Sequence, residues 1–194
     1  MKQKYSSVGK FSAETSAASS APSSASPSGE DTGRSAASIF TSLLLSFGVS
    51  DAVVCPGSRN GALVHNLYCC QPQLSVWPVT DERSAGFVAL GIALRTGRTT
   101  VVCVTSGSAL LNVLPAVAEA YYQHVPLLVV SADRPEMLLG QLDGQTLPQI
   151  GALQPYTPTI QLPELRSEAD AWHCNRLMNE ALLSTRRHGG RPAH

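Results

Sequence analysis

Five short runs of strand length constrain this chain most: "DAVVCPG" (51–57), "LSVWPV" (74–79), "TTVVCVTSG" (99–107), "PLLVVSA" (126–132) and "YTPTIQL" (156–162). They are nearly continuous in apolar residues instead of alternating apolar with polar, so strands built from them need cover on both faces. Helical patterns separate them, over Gly61–Cys70, Arg83–Thr96, Ser108–Tyr122 and Glu168 to about Arg187. Strands alternating with helices predict an α/β fold, a three-layer sandwich with a mostly parallel central sheet. Ahead of the first strand, Ile39, Phe40, Leu43, Leu44 and Phe47 share one helical face, and Gly48 suits the stop. The last helix is expected to carry Arg186, Arg187 and His188 in its final turn, where they complement the dipole. A further strand could begin at "RPAH".

Residues 1–33 have a different texture, mostly Ser, Ala, Pro and Gly, and cannot bury enough apolar surface to offset chain entropy. They are predicted to be a disordered tail, with one domain over 34–194. Lys and Arg together number 14, as do Asp and Glu, so neither a nucleic-acid partner nor an acidic one is indicated. Charged residues make up only 14% of the chain, which suits a surface partly covered by another domain or subunit, though a sparsely charged monomer fits equally. Cys55, Cys69, Cys70, Cys103 and Cys174 form no Cys-x-x-Cys pair, and reduced thiols in the cytoplasm are expected. No apolar run reaches the length of a membrane span.

Ligand sites in open parallel sheets gather beyond the carboxyl ends of the strands. Four such ends carry polar groups here: "CPGSRN" (55–60), "TDERSAG" (80–86), "TSGSA" (105–109) and "SADRPE" (131–136). Pro56-Gly57 and Ser106-Gly107-Ser108 could bring backbone N–H groups to an anion, and Arg59, Arg83 and Arg134 could add charge-assisted contacts. On their own these residues support a site for a small carboxylate- or phosphate-bearing ligand. The five histidines have no metal-ligand spacing, neither a dinucleotide fingerprint nor a Walker A motif occurs, and Ser106 lacks the frame of a hydrolase elbow. Asp81, Glu82 and Arg83 stand at the mouth of an otherwise small and apolar helix. Read by itself, Glu82 is a helix-start acid that favours the dipole.

"CPGSRN", "TDERSAGFVALGIALRTGR", "VVCVTSGSALLNVLPAVAEAYYQHVPLLVVSADRP" and "GQTLPQ", in that order, resemble the pyrimidine-binding domain of thiamine-diphosphate enzymes. "PGSR" together with "SADRP" resembles most closely the 2-succinyl-5-enolpyruvyl-6-hydroxy-3-cyclohexene-1-carboxylate synthases of menaquinone biosynthesis. The resemblance runs from about Ser35 to the last residue. It implies that Glu82 hydrogen-bonds N1′ of the cofactor's aminopyrimidine, favouring the tautomer that takes the proton from the thiazolium. Burial among Ala85, Phe87, Val88 and Leu90 is expected to disfavour the charged carboxylate. By the same resemblance Pro56, Gly57, Thr105, Ser106 and Gly107 line the cofactor. Ser58 and Arg59 contact substrate carboxylates, Arg134 holds isochorismate, and Gln145 reaches its ring substituents. Gly144 departs from the pattern, which often has Asn there. Without the resemblance, Arg59 reads as a helix-start surface residue and Arg134 as a local partner of Asp133 or Glu136.

The implied reaction adds decarboxylated 2-oxoglutarate to isochorismate, with thiamine diphosphate and Mg²⁺ as cofactors. Relatives hold the metal and the diphosphate through a Gly-Asp-Gly segment in a second domain, and no such segment occurs in these 194 residues. Three organisations follow as expectations: an N-terminal portion of the synthase, inactive alone; the pyrimidine-binding subunit of a split 2-oxo acid decarboxylase; or a non-catalytic association module. The resemblance also implies a homo-oligomer, or a partner chain carrying the diphosphate site.

Overall fold

The computed structural model describes residues 35–194, and the Ser-rich tail expected over residues 1–33 lies outside the described residues. The chain runs α1 (Ala36–Ser46), β1 (Asp51–Val54), α2 (Gly61–Cys69), β2 (Ser75–Pro78), α3 (Glu82–Thr96), β3 (Thr100–Val104), α4 (Ser108–Asn112), α5 (Leu114–Tyr122), β4 (Leu127–Ser131) and α6 (Glu168–Ser184). The four strands form one sheet in the order β2-β1-β3-β4, and every pair is parallel.

Successive residues of each strand point to opposite faces; the apolar runs of β1, β3 and β4 fill both, whereas the edge strand β2, expected to be covered on both faces, buries only Val76 and leaves Trp77 exposed. Val53, Cys55, Val102, Val104, Leu127 and Val129 pack under α3, α4 and α5 with Ala85, Ala89, Leu110 and Val117. Ala52, Val54, Val76, Val101, Cys103 and Leu128 pack under α1, α2 and α6 with Phe40, Leu44, Leu67 and Leu182. This is the three-layer α/β sandwich expected from the strand texture. All five cysteines are free, and burial pushes the Cys103 thiol up to about 11.

Three local expectations need correction. "YTPTIQL" is not a strand: Pro158 has no N–H to give a ladder, and the Ile160 N–H instead meets the His194 carbonyl at 2.7 Å. The helix expected over Ser108–Tyr122 breaks at Val113, because Pro115 could not continue it and enters the first turn of α5 instead. Helix α6 stops at Ser184, ahead of the basic cluster. Arg186 stacks on the Phe47 ring at 3.7 Å and donates to the Phe47 carbonyl, so it complements the C-terminus of α1 rather than of its own helix. The strand expected at "RPAH" does begin, as a parallel bridge between Ala193 and Leu128.

The strand order positions the site. From β1 the chain moves outward to β2 through α2, then crosses back through α3 to reach β3 on the other side of β1. Connections therefore diverge between β1 and β3, and in open parallel sheets such a divergence is where the strands' carboxyl ends form the crevice that takes ligands.

Candidate functional site

The turn after β1 is folded against the turn after β3. A Cβ on Gly57 would lie 2.5 Å from Thr105 Cβ and 2.8 Å from its Oγ1, so only glycine lets the two turns meet. Asn60, fully buried at the start of α2, donates from Nδ2 to the Cys55 carbonyl at 2.8 Å and ties the first turn to its strand. Asn60 Oδ1 and Thr105 Oγ1 are buried there without a partner among the described residues. Buried polar atoms left unpaired are costly, and these two lie against Gly57, 2.9 and 2.8 Å from where its Cβ would stand.

Glu82 enters the crevice from the start of α3. Asp81, not Glu82, caps this helix: its carboxylate accepts the Ser84 N–H at 2.7 Å, and hydrogen bonds from Ser84 hold it below the usual carboxylate range. Glu82 is thereby released from capping. Its Oε2 accepts from Asn112 Nδ2 at 3.3 Å, and among the described residues no hydrogen bond reaches Oε1. The carboxylate also acts on the end of β1: the Cys55 thiol is pushed up to about 12, first by burial and then by the charge of Glu82. The apolar enclosure expected around Glu82 is only half present. Ala85 and Leu90 are in the core, but Phe87 and Val88 are 46% and 41% exposed, and Glu82 itself is half-buried. The helical period explains this: Ala85, Gly86, Ala89, Leu90 and Ala93 recur on the buried face, and Phe87 and Val88 fall between them on the outer one.

Two arginines approach the same edge. Arg59 donates from Nη1 to Gln145 Oε1 and from Nη2 to the Gly144 carbonyl, both at 2.9 Å. The guanidinium of Arg134, just beyond β4, pairs with Asp143, while Asp133 accepts only the Arg134 backbone N–H, at 2.7 Å. Residues 136–149 thus form a strap across the crevice. Ser106 Oγ donates to the Gln145 carbonyl at 3.0 Å, and the Gly107 N–H donates to Gln149 Oε1 at 2.6 Å. Gly107 has a φ of 79°, and a Cβ there would lie 2.7 Å from the Gln145 carbonyl oxygen. Ser106 and Gly107 therefore spend these groups on the strap, and Thr105 Oγ1 is buried without a partner among the described residues. Pro56 and Ser58 are exposed at the rim.

The strand-end pattern put Glu82, Arg59 and Arg134 on one edge and the resemblance added Gln145, but neither singled out Asn60, Asn112, Asp143 or Gln149. Gln149 is buried and its amide also donates to the Ala132 carbonyl at 3.0 Å, clamping the strap to β4. Only the "GQTLPQ" run hinted at it; nothing local distinguishes Asp143.

The family model of the thiamine pyrophosphate enzyme, N-terminal TPP binding domain, matches residues 34–155. The chain belongs to this family. It is 53% identical over 154 residues to a 2-succinyl-5-enolpyruvyl-6-hydroxy-3-cyclohexene-1-carboxylate synthase of Bacteroides thetaiotaomicron, a match covering 79% of this chain and 28% of that protein. Proteins of the same name from Phocaeicola vulgatus and Cytophaga hutchinsonii are 54% and 42% identical, over 79% and 78% of this chain and 28% and 27% of theirs. The chain thus spans little more than a quarter of the length of the relatives it matches. The family's cofactor is thiamine diphosphate, and the TPP binding domain here fits its aminopyrimidine end. Among the described residues Glu82 Oε1, Asn60 Oδ1 and Thr105 Oγ1 have no hydrogen-bond partner, so acceptors and a hydroxyl remain for a ring nitrogen and an exocyclic amine.

Proposed function

We propose that this chain is the pyrimidine-binding part of a 2-succinyl-5-enolpyruvyl-6-hydroxy-3-cyclohexene-1-carboxylate synthase, joining decarboxylated 2-oxoglutarate to isochorismate in menaquinone biosynthesis. The observation that carries this reading is the pair Arg59 and Arg134, held at the edge that also carries Glu82 and spanned by one strap. Substrates bearing several carboxylates call for guanidinium groups at such places.

Thiamine diphosphate, when bound, supplies the electron sink for decarboxylating a 2-oxo acid. With the cofactor bound, Glu82 would exchange a proton with the pyrimidine N1′ through Oε1, while the Asn112 amide nitrogen, which can only donate, holds Oε2 as an acceptor. Pro56, Gly57 and Thr105 line the ring from the ends of β1 and β3, and Ser106 and Gly107 contribute through the strap they anchor. Ser58, Arg59, Arg134 and Gln145 take the substrate carboxylates and ring substituents. The diphosphate and Mg²⁺ fall to a second domain, on the same polypeptide or on a partner. Among the described residues, no group of three His, Cys, Asp or Glu could hold a metal.

An oligomer, or a partner chain carrying that second domain, fits the outer face of α3. Phe87, Val88 and Leu94 are exposed there, and the space over Gly91 is open, so another backbone can approach closely along the middle of this helix. Five free thiols fit a reducing compartment, and the cytoplasm is the proposed location. No helix among the described residues is long and apolar enough to cross a membrane.

The test is turnover of isochorismate and 2-oxoglutarate in a mixture of this chain, a diphosphate-binding domain of the same family, thiamine diphosphate and Mg²⁺. Arg134→Ala is expected to lower isochorismate-dependent turnover by about a hundredfold or more, as loss of a charged contact does, with cofactor binding retained. Unchanged kinetics in that variant would remove Arg134 from the substrate site and the reading with it.

A further inference from the structure

The strap occupies the very groups that the proposed function assigns to substrate. Arg134 is paired with the Asp143 carboxylate, and both terminal nitrogens of Arg59 are taken by Gln145 Oε1 and the Gly144 carbonyl. The occupation is imperfect. The Nε atoms of Arg59 and of Arg134 are both buried and unpartnered among the described residues. A guanidinium presents Nε and Nη together as a fork that a ligand carboxylate grips with two parallel bonds, and here neither fork has both prongs filled. The strap is also bent to reach its targets: Leu142 and Gln145 both have φ of 58°, in the left-handed region that non-glycine residues rarely adopt. Asp143 lies between them, its carboxylate further held by the Thr146 hydroxyl at 3.1 Å.

We propose that Asp143 is a resident carboxylate on Arg134, a specificity-determining residue that an incoming ligand carboxylate must displace before it can bind. The inference rests on the proposed function only in taking Arg134 as a carboxylate site. An external carboxylate competes with a tethered one of the same charge, so it gains only by filling prongs that Asp143 leaves empty. A ligand with a single weakly held carboxylate gains little from this exchange. One that engages Arg59 and Arg134 together offers partners to both unfilled Nε groups and relieves the strap of both contacts at once. Asp143 thereby raises the threshold for monocarboxylates more than for dicarboxylates.

The test titrates the 194-residue chain with succinate and with acetate, following the arginine side-chain Nε–H resonances by NMR. Four proteins are compared: wild type, Asp143→Asn, Arg134→Ala, and the double variant. Asparagine keeps the shape of residue 143 and an acceptor for Thr146 while removing the charge. Asp143→Asn is expected to bind acetate about tenfold more tightly, a change of about 1.4 kcal/mol, to bind succinate more tightly by a smaller factor, and to lose both gains when Arg134→Ala is added. Equal affinities in wild type and Asp143→Asn, with binding abolished by Arg134→Ala, would overturn the inference while leaving the carboxylate site standing. Binding indifferent to Arg134→Ala in both backgrounds would overturn the inference and the assignment of Arg134 together. Absence of acetate and succinate binding to Asp143→Asn would also overturn it, because that variant is the one with an unopposed Arg134.

Discussion

Glu82→Gln is expected to lower turnover of the completed enzyme by at least about a thousandfold, within the range that a positioned acid–base group contributes, and to leave the fold intact. The carboxamide matches the carboxylate in shape, and its oxygen can still accept from Asn112. What it cannot do is take up and return a proton at the ligand's ring nitrogen. Asp81 continues to cap α3 in the variant, so the helix loses only the favourable first-turn charge, about 0.3–1 kcal/mol. Two readings separate the catalytic role from a structural one. The exchange rate of the cofactor's C2 proton should collapse, and the near-ultraviolet circular dichroism of the protein should stay as in wild type. Exchange at a near-normal rate would show that Glu82 does not carry the proton.

The second large effect is an acid sensitivity seated at His194. This imidazole is buried, with Nε2 2.8 Å from Ser131 Oγ and Nδ1 3.2 Å from Thr159 Oγ1, and burial pulls its pKa from 6.5 down to about 4. Its neutral form is the folded form. Between those two values the unfolded chain takes up a proton that the folded chain refuses, so this contribution is complete above pH 6.5 and is lost as the pH falls toward 4. The loss amounts to roughly 3 kcal/mol in all. Asp81 and Asp170, held below the usual range by hydrogen bonds from Ser84 and Ser167, lose their contributions at still lower pH. Unfolding midpoints in urea measured at pH 7, 5.5 and 4.5 should therefore fall steeply in wild type and much less in His194→Gln. Parallel slopes in the two proteins would place the acid sensitivity elsewhere. The effect would reach the site, because Ser131 also accepts from Gln149, the clamp on Gly107.

The layers were readable because a strand buried on both faces leaves an unmistakable texture. Val53 and Val54, or Val101 and Val102, serve opposite cores from adjacent positions, and no amphipathic surface strand is written that way. Proline effects were less visible. Pro115 and Pro158 lie inside patterns of the right period; by withholding a hydrogen bond the first divides a helix in two and the second cancels a strand. The site divides along a similar line. Glu82, Arg59 and Arg134 stand at strand ends, where local sequence fixes position. The contacts of Arg59 with Gly144 and Gln145 join residues 85 and 86 positions apart, and no local pattern encodes them. Asp143 was unreadable for that reason, as was the buried Gln149. The exposure of Phe87 and Val88 was a misjudged helix face rather than a hidden signal.

The most direct measurement is carbon-13 NMR of the side-chain carboxyl groups in chain labelled at glutamate, during titration with thiamine diphosphate. Glu82, assigned from the Glu82→Gln spectrum, should shift markedly as the ligand binds, while Glu119, Glu164 and Glu180 stay in place. A saturating titration in which Glu82 does not move would contradict the account, because the cofactor would then be binding somewhere other than the crevice between β1 and β3.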